Sequence, residues 1–524
     1  MNSIEIQKEY KVSALIAQVL EHRKLEQWQI DQILNPTEQL HFSHCEALNQ
    51  VAQRIMQAKE RKEKVLISGD YDADGLCATT ILKETLDQLD IVNGFYIPDR
   101  LVEGYGLNVQ TVQMAAERGY SLIITIDNGI TAEAAIDMCH ALGIDILVTD
   151  HHTKQNELKW TVLLHPEVME SHFAMMCGAG VALQVSHRLL GENKKHVILA
   201  MVATLADMVP LFHENRTIVR LGLRYLNELR LPQLERLLDR PVKTWNEQEI
   251  AFQIIPKLNA VGRLADFANP NNVVRWLILD KESEIEGFAK QIKAINEQRK
   301  QMAEEMTTIA LSKAQFDDFM FVADESFHEG LVGLVANRLI QQFACPVAVL
   351  AMKENTYKGS IRGGETLDLI DFFEDLKPYL ETFGGHQKAV GIEIRKENFE
   401  AFQEAVKNKM KTVIQMKHSD SVISVVSSKC TPQTIYELDR LAPFGQGFEL
   451  PRFELTDFEV LSSQVLKEKY PKWKCCNEEF EFESISFNLD KTVIEKPLHS
   501  FVGTLQVNEF WGKKTVTILV DKVN

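Results

Sequence analysis

The 524-residue chain lacks the features that mark a membrane or exported protein. No apolar run approaches the roughly 18 to 20 residues that span a bilayer. The first ten residues hold no basic stretch followed by an apolar one, so they do not read as a secretion signal. Cysteine is sparse, at eight, and scattered. The only close pair, Cys475-Cys476, is adjacent, and adjacent cysteines rarely bridge each other. No Cys-x-x-Cys pair is present, which argues against structural zinc. The cysteines therefore read as reduced and the compartment as cytoplasmic. Positive charge is also short: 57 Lys and Arg face 74 Asp and Glu, a net charge of −17. That excess argues against a non-specific nucleic-acid coat, although a local basic channel fits within an acidic total. Internal repeats and low-complexity segments are absent.

What is present is ordinary for a soluble globular protein: 45% hydrophobic and 25% charged residues. The length is too great for one core and predicts two to four domains. Residues 1–50 read as a polar, helical N-terminal segment broken at Pro36. Residues 51–280 read as an α/β domain in which strands alternate with helical patterns, and that alternation means a parallel sheet. Residues 281–317 are rich in Glu, Lys, Gln and Ala, with Gly287 the single Gly and no Pro, which predicts a long connecting helix with a solvated face. A second α/β unit spans 318–415. Residues 416–524 hold short strands and turn glycines and prolines, which predicts a small β-barrel or sandwich.

Three apolar strand patterns end in acids or imidazoles. Val65 to Ser68 runs into Asp70, Asp72 and Asp74. Leu122 to Ile126 runs into Asp127. Ile144 to Thr149 runs into Asp150, His151 and His152. Strand C-terminal ends face the functional crevice of an α/β sheet. So many carboxylates cannot be packed together without a counter-ion. A single Asp-x-Asp is often only a turn or a helix N-cap, but three acidic strand ends within about 80 residues exceed what caps explain. With the lone Asp207 after a helical apolar run, they predict a centre for two divalent cations. Oxygen ligands with few imidazoles suit Mn²⁺ or Mg²⁺. Asp127, at the middle strand end, is the candidate bridge between them.

These residues resemble the DHH phosphoesterase superfamily, named for the triplet seen here as Asp150-His151-His152. Within it the chain resembles the RecJ family of single-strand-specific 5′→3′ DNA exonucleases. The likeness extends through Tyr96 to Arg100, Glu103 to Asn108, Ala206 to Leu211, Lys257 to Arg263 and His328 to Leu339. It continues through Lys358 to Arg362, Gly384 to His386, Leu441 to Gly447 and Phe501 to Lys514. It covers about residues 30–524 in the expected order, stopping at an OB-fold. Three departures stand out. His165-Pro166 replaces a usual Asn-Pro, and His165 is either a further imidazole or a loop residue. Gly363 follows Arg362 where a Ser is usual, and Phe448-Glu449-Leu450 follows Gly447.

The resemblance implies a DHH domain and a DHHA1-like accessory domain joined by the long helix, with a C-terminal OB-fold. It implies two-metal hydrolysis of single-stranded DNA to 5′-mononucleotides, in repair and recombination. Asp72, Asp74, Asp127, His151 and Asp207 are the implied ligands, with Asp70 and Asp150 close by. His152 would face the scissile phosphate, and Arg263 would neutralise its charge. Arg100, Ser360 and Arg362 are implied to hold a terminal 5′-phosphate, and a loop at Gly384-Gly385-His386 the nucleotide. Trp473, Phe510 and Trp511, beside Lys472, Lys474, Lys513 and Lys514, are candidate stacking and phosphate contacts of the OB-fold, the alternative being that Trp473 and Trp511 are packed at the barrel ends. The implied partners are single-stranded DNA, a single-strand-binding protein and a helicase, with no obligate oligomer. Other readings are a phosphoesterase of short oligoribonucleotides or cyclic dinucleotides, a pyrophosphatase, and an inactive replisome scaffold, which would have lost its ligands.

Overall fold

The computed structural model describes residues 1–524 apart from 155, 315–316, 365–366, 413–421, 496–497 and 511–512, and apart from the side chains of Glu509, Phe510 and Lys513. Strands β1 (Val65–Ser68), β2 (Asn93–Tyr96), β3 (Leu122–Ile126), β4 (Asp145–Thr149) and β5 (Val162–Leu164) form a parallel sheet in the order β2-β1-β3-β4-β5. Both faces are covered, which is why β1 and β3 are apolar along their length. Ile67, Ile124 and Leu147 face the core shared with helices Glu46–Arg61, Ala73–Gln88 and Gly178–Leu190. Leu66, Ile123 and Ile146 face helices Val109–Glu117 and Glu133–Ala141 on the other side. The chain passes from β1 to β2 on one side and then to β3 on the other. Such a reversal opens a crevice beyond the carboxyl ends of β1 and β3.

Helix Glu282–Lys313 is 32 residues long, roughly 48 Å at 1.5 Å per residue. Its first turns bury Ile285, Ala289 and Ile292 in the catalytic core. Its last turns bury Met306 and Ala310 in the accessory core, so one helix belongs to both units. The accessory sheet joins β6 (Met320–Asp324), β7 (Val347–Met352), β8 (Thr356–Arg362), β9 (Thr382–His386) and β10 (Ala389–Arg395) in the order β6-β7-β8-β10-β9. Gly384, Gly385 and His386, expected in a loop, lie instead on the edge strand β9, paired with Gly391, Val390 and Ala389.

The C-terminal unit is a seven-stranded sheet of β11 (Val422–Val426), β12 (Arg452–Thr456), β13 (Glu459–Leu466), β14 (Tyr470–Cys476), β15 (Glu481–Ile485), β16 (Phe501–Phe510) and β17 (Lys513–Val523). Four expectations need correction here. The N-terminal helices Ser3–Tyr10, Ala14–His22 and Gln27–Leu34 are not a separate polar segment. Their Ile6, Leu15, Ile16, Val19, Leu20, Ile30 and Ile33 complete the core of this C-terminal sheet. An expected boundary at residue 50 falls inside the Glu46–Arg61 helix, whose Leu48, Val51 and Ile55 belong to the catalytic core. Trp473 is 1% exposed and packs on Phe501 at 5.2 Å, so its ring is a core group and not a stacking platform. Lys472 and Lys474 pair with Glu483 and Glu481 on β15, which neutralises the charge expected to grip phosphates. The side chains of Phe510 and Lys513, and Trp511 as a whole, lie outside the described residues.

Candidate metal centre and anion cradle

The ends of β1, β3 and β4 bring their acids and imidazoles to one place. Three overlapping groups have ligand atoms within 4.8 Å of one another: Asp127, His151 and His152; Asp74, His151 and Asp207; and Asp70, Asp72 and Asp127. Asp127 belongs to two groups, and Asp72 and Asp74 fall in different ones.

Each acid is set by its local backbone. Asp72 caps helix Ala73–Gln88, its Oδ1 accepting from the amides of Asp74 and Gly75 at 2.9 and 3.1 Å. Capping thus coexists with membership of the cluster. Asp74 enters the first helical turn and accepts from the amides of Gly178 and Ala179, each at 2.7 Å. Those amides begin helix Gly178–Leu190, whose positive end favours a carboxylate. Gly178 is needed there: a Cβ would come within 2.6 Å of the Asp127 side chain. Asp127 itself has φ +62°, a conformation Asp tolerates better than most residues. Asn128 braces it, donating to the carbonyls of Ser68 and Ile126 and accepting from Leu107.

The cluster is unbalanced in charge. Burial, then the Asp72 charge, raises Asp70 far above the carboxylate range. Burial and the neighbouring acids do the same to Asp127. Asp74 is pushed up to about 6 and Asp207 to about 8, by burial first and then by nearby acids. His151 is lowered to about 4, chiefly by burial and then by the charge of His152. The buried Oδ1 of Asp127 finds no hydrogen-bond donor, although His151 Nε2 lies 3.1 Å away. Asp127, His151, Asp74 and Asp207 would hold a divalent cation, which would supply the positive charge that these acids lack, so the residues present fit a divalent-metal centre.

Asp150 and His165 occupy other positions. Asp150 accepts from the amides of Ile130, His151 and His152 and from His152 Nδ1 at 2.7 Å, and it belongs to none of the three groups. Burial alone would lower His152, but this contact raises it to about 9, an imidazolium. His165 Nε2 bonds to the His152 carbonyl at 3.0 Å, and its Nδ1 accepts from the amide of Glu167. With both nitrogens engaged, His165 is the loop residue and not a ligand.

Beside the acids lies a cradle of opposite sign. Arg100, Arg263 and Arg362 come from two domains and lie close enough to repel one another. Burial, then this repulsion, lowers Arg362 to about 10. Among the described residues none of the three reaches a carboxylate at ion-pair distance. Arg362 donates to Asn337 Oδ1 at 2.9 Å, to the Ile361 carbonyl and to Ser360 Oγ. Arg100 lies over the Tyr71 ring at 4.9 Å and donates to its hydroxyl. His386 feels the charge of Arg362, which with burial keeps it below the usual histidine value. Guanidiniums gathered without carboxylate partners, Arg263 and Arg362 half-buried and Arg100 exposed, mark a site for an external anion. The amide of Gly363 is not free for one, since it donates to the Lys388 carbonyl at 3.1 Å.

Sequence reasoning passed over Tyr71, Asn337 and the paired amides of Gly178 and Ala179. Tyr71 lies between two named acids, and Gly178-Ala179-Gly180 was legible as a helix start, so position was the available signal in both cases.

A parallel sheet with this cluster at its switch point, a long helix and an accessory sheet make up the architecture of DHH-family proteins. Residues 64–209 match the DHH family, N-terminal domain; 317–412 the DHHA1 domain; and 422–522 the RecJ OB domain. Taken together, these matches make the chain similar to the RecJ family. It is 33% identical over 497 residues to the single-stranded-DNA-specific exonuclease RecJ of Bacillus subtilis, spanning 90% of this chain and 63% of that protein. It is 27% identical to the same enzyme of Haemophilus influenzae, over 91% of this chain and 90% of that one. A crystal structure of exonuclease RecJ bound to manganese superposes with TM-score 0.61 at 28% identity, over 72% of this chain and 96% of that one. Thermus thermophilus RecJ in complex with Mn²⁺ shares the fold over 100% of this chain and 78% of that one, with TM-score 0.86 at 23% identity. No helix among the described residues is long and apolar enough to cross a membrane.

Proposed function

We propose that this chain is a divalent-metal-dependent exonuclease that removes 5′-mononucleotides from single-stranded DNA, working from the 5′ end, in repair and recombination. The observation that carries the reading is the meeting, in one crevice, of a buried acid–imidazole cluster and three unpaired arginines from two domains. Asp72, Asp74, Asp127, His151 and Asp207 would hold two Mn²⁺ or Mg²⁺ ions, with Asp70 beside them. When bound, such ions supply Lewis acidity and lower the pKa of water, the chemistry of in-line phosphoryl displacement.

The remaining roles belong to the chain itself. His152, charged and oriented by Asp150, donates a hydrogen bond to the scissile phosphate. Arg263 neutralises charge that develops on it. Arg100, Ser360 and Arg362 hold the terminal 5′-phosphate, and His386 on the edge strand β9, with Gly385, contacts the nucleotide. A cleft bounded by two domains admits a single strand, and the OB unit extends the track. A single-strand-binding protein and a helicase as partners, a monomeric state and a cytoplasmic location follow from the family resemblance.

Digestion of 5′-labelled and 3′-labelled single-stranded DNA with Mn²⁺ or Mg²⁺, beside duplex and RNA controls, tests the reading. Immediate release of a labelled mononucleotide from the 5′ end, with the duplex spared, is expected. Rapid hydrolysis of short RNA or a cyclic dinucleotide, with DNA untouched, would keep the metal centre and overturn the substrate.

A further inference from the structure

Asp207 is the one acid of the cluster that no strand end positions. It caps helix Lys194–Ala206, and the next residue, Met208, has φ +56°. A non-glycine residue is disfavoured in that region and persists only where its surroundings over-determine it. The Met208 side chain is 65% exposed, so its own packing does not hold the conformation. The anchors lie further on. The Pro210 carbonyl accepts from Asn215 Nδ2, and the Leu211 amide donates to the Gln446 carbonyl at 2.9 Å.

Gln446 belongs to Pro443-Phe444-Gly445-Gln446-Gly447, the stretch that leads into β12 of the C-terminal unit. In the structure this segment is seated on the catalytic domain. Arg216, 1% exposed, donates to the carbonyls of Leu441, Ala442 and Pro443 and lies over the Phe448 ring at 5.1 Å. Glu247 accepts from the Phe444 amide at 3.1 Å. Gly445 sits so close to Leu211 that a Cβ would approach its Cδ1 to 2.6 Å. The N-terminal helices close the other side. Trp28 stacks on His213 at 4.2 Å, and Gln32 exchanges hydrogen bonds with the His213 backbone.

We infer that this OB-domain segment, docked by Arg216, is a backstop for the 208–212 loop that holds Asp207 in the metal cluster. Arg216 and Gly445 are then positioning residues for the metal centre, reached through the loop and not by contact with the ligands. The inference rests on the reading of Asp207 as a metal ligand. It assigns the OB unit a second task beyond binding DNA, which is to complete the metal site of the neighbouring domain.

The test is Mn²⁺ binding to the metal-free full chain, read from the free-ion electron paramagnetic resonance signal, so that no turnover is involved. Arg216→Met and Gly445→Val are compared with wild type and with Asp207→Asn, after circular dichroism shows each folded. About a tenfold loss of Mn²⁺ affinity is expected for Arg216→Met, the scale typical of groups that orient ligands, with Asp207→Asn weaker still. Gly445→Val, which displaces Leu211 and leaves the Arg216 contacts intact, should lose affinity in the same direction and serves if Arg216→Met does not fold. Wild-type affinity in a folded clamp variant, with Asp207→Asn impaired, would overturn the backstop and leave the ligand reading intact. Wild-type affinity in Asp207→Asn would overturn both.

Discussion

Asp150 Oδ1 stands 2.7 Å from His152 Nδ1 and takes up that carboxylate's capacity together with three backbone amides. The acid of the DHH triplet thereby acts on its neighbour's charge. Asp150→Asn removes the charge and keeps the shape. It should lower kcat by about 10- to 100-fold, the usual cost of losing such an orienting partner. It should also move the alkaline limb of the pH–rate profile down from near the His152 value of about 9. The sign follows because the active form is the imidazolium, which a neutral Asn supports less. A variant with an unmoved alkaline limb would contradict the pairing as the source of His152's charge.

Asp127 shares ligand atoms with two of the three groups. Asp127→Ala should therefore reduce turnover by more than about 100-fold, beyond the loss typical of a supporting group. It should not unfold the chain, since the variant removes a buried carboxyl whose ionisation burial and the neighbouring acids oppose. Thermal melts and single-strand digestion check both halves, and near-wild-type turnover would refute the bridging role.

The raised acids predict how metal and pH combine. Asp207 titrates at about 8 and Asp74 at about 6 in the metal-free fold, against roughly 4 in an unfolded chain. Between those values the fold retains protons that the unfolded chain has released. The stability these two groups contribute is therefore full below about 4 and is lost as pH rises through 6 and 8. A divalent cation replaces those protons, so Mn²⁺ should raise the melting temperature more at about pH 8 than at about pH 6. His151, lowered to about 4 against roughly 6.5 when unfolded, works in the opposite direction below about pH 6.5, where the unfolded imidazole takes up a proton that the fold refuses; it is neutral and free to ligate at both test pH values. Equal metal shifts at both pH values, measured by scanning fluorimetry after chelation, would count against the cluster as the binding site.

Much of the site was legible because it is written locally. An acid at the end of an apolar run is visible in the chain, and the sheet places it at the switch point. The arginine cradle was accessible only through resemblance, because Arg100, Arg263 and Arg362 converge from distant segments and no local spacing records that. Two errors have physical causes. A Trp flanked by lysines reads alike whether it faces DNA or the core, and alternation on β14 puts Trp473 inward while Lys472 and Lys474 face the glutamates of β15. The N-terminal helices read as a polar segment, yet they bury Ile6, Leu15, Ile16, Val19, Leu20, Ile30 and Ile33, and what these side chains meet lies about 400 residues away, where no local pattern records it.

That correction yields its own prediction. Trp473→Ala should cost about 3 to 5 kcal/mol of stability, as truncating a buried aromatic does. At a temperature where the variant remains folded, its affinity for single-stranded DNA should match wild type. A stacking platform would show the opposite pattern, with stability kept and affinity lost by about 1 to 3 kcal/mol per base. Chemical denaturation and fluorescence-anisotropy titration of the same samples separate the two.

Arg362 tests the cradle. It holds Ser360 and Asn337 and faces two further unpaired arginines across the domain boundary. Its fixed fork suits two phosphate oxygens at once, and a lysine at the same place presents a single point charge. Arg362→Ala should therefore raise KM for 5′-phosphorylated single strands by about tenfold or more, the cost of one charge-assisted contact of roughly 1.5 to 3 kcal/mol. For 5′-hydroxyl strands, which never filled that place, the change should be small, and Arg362→Lys should recover only part of the loss. If both substrates suffer equally, Arg362 acts on the scissile phosphate or on domain closure, and the terminal phosphate is held elsewhere.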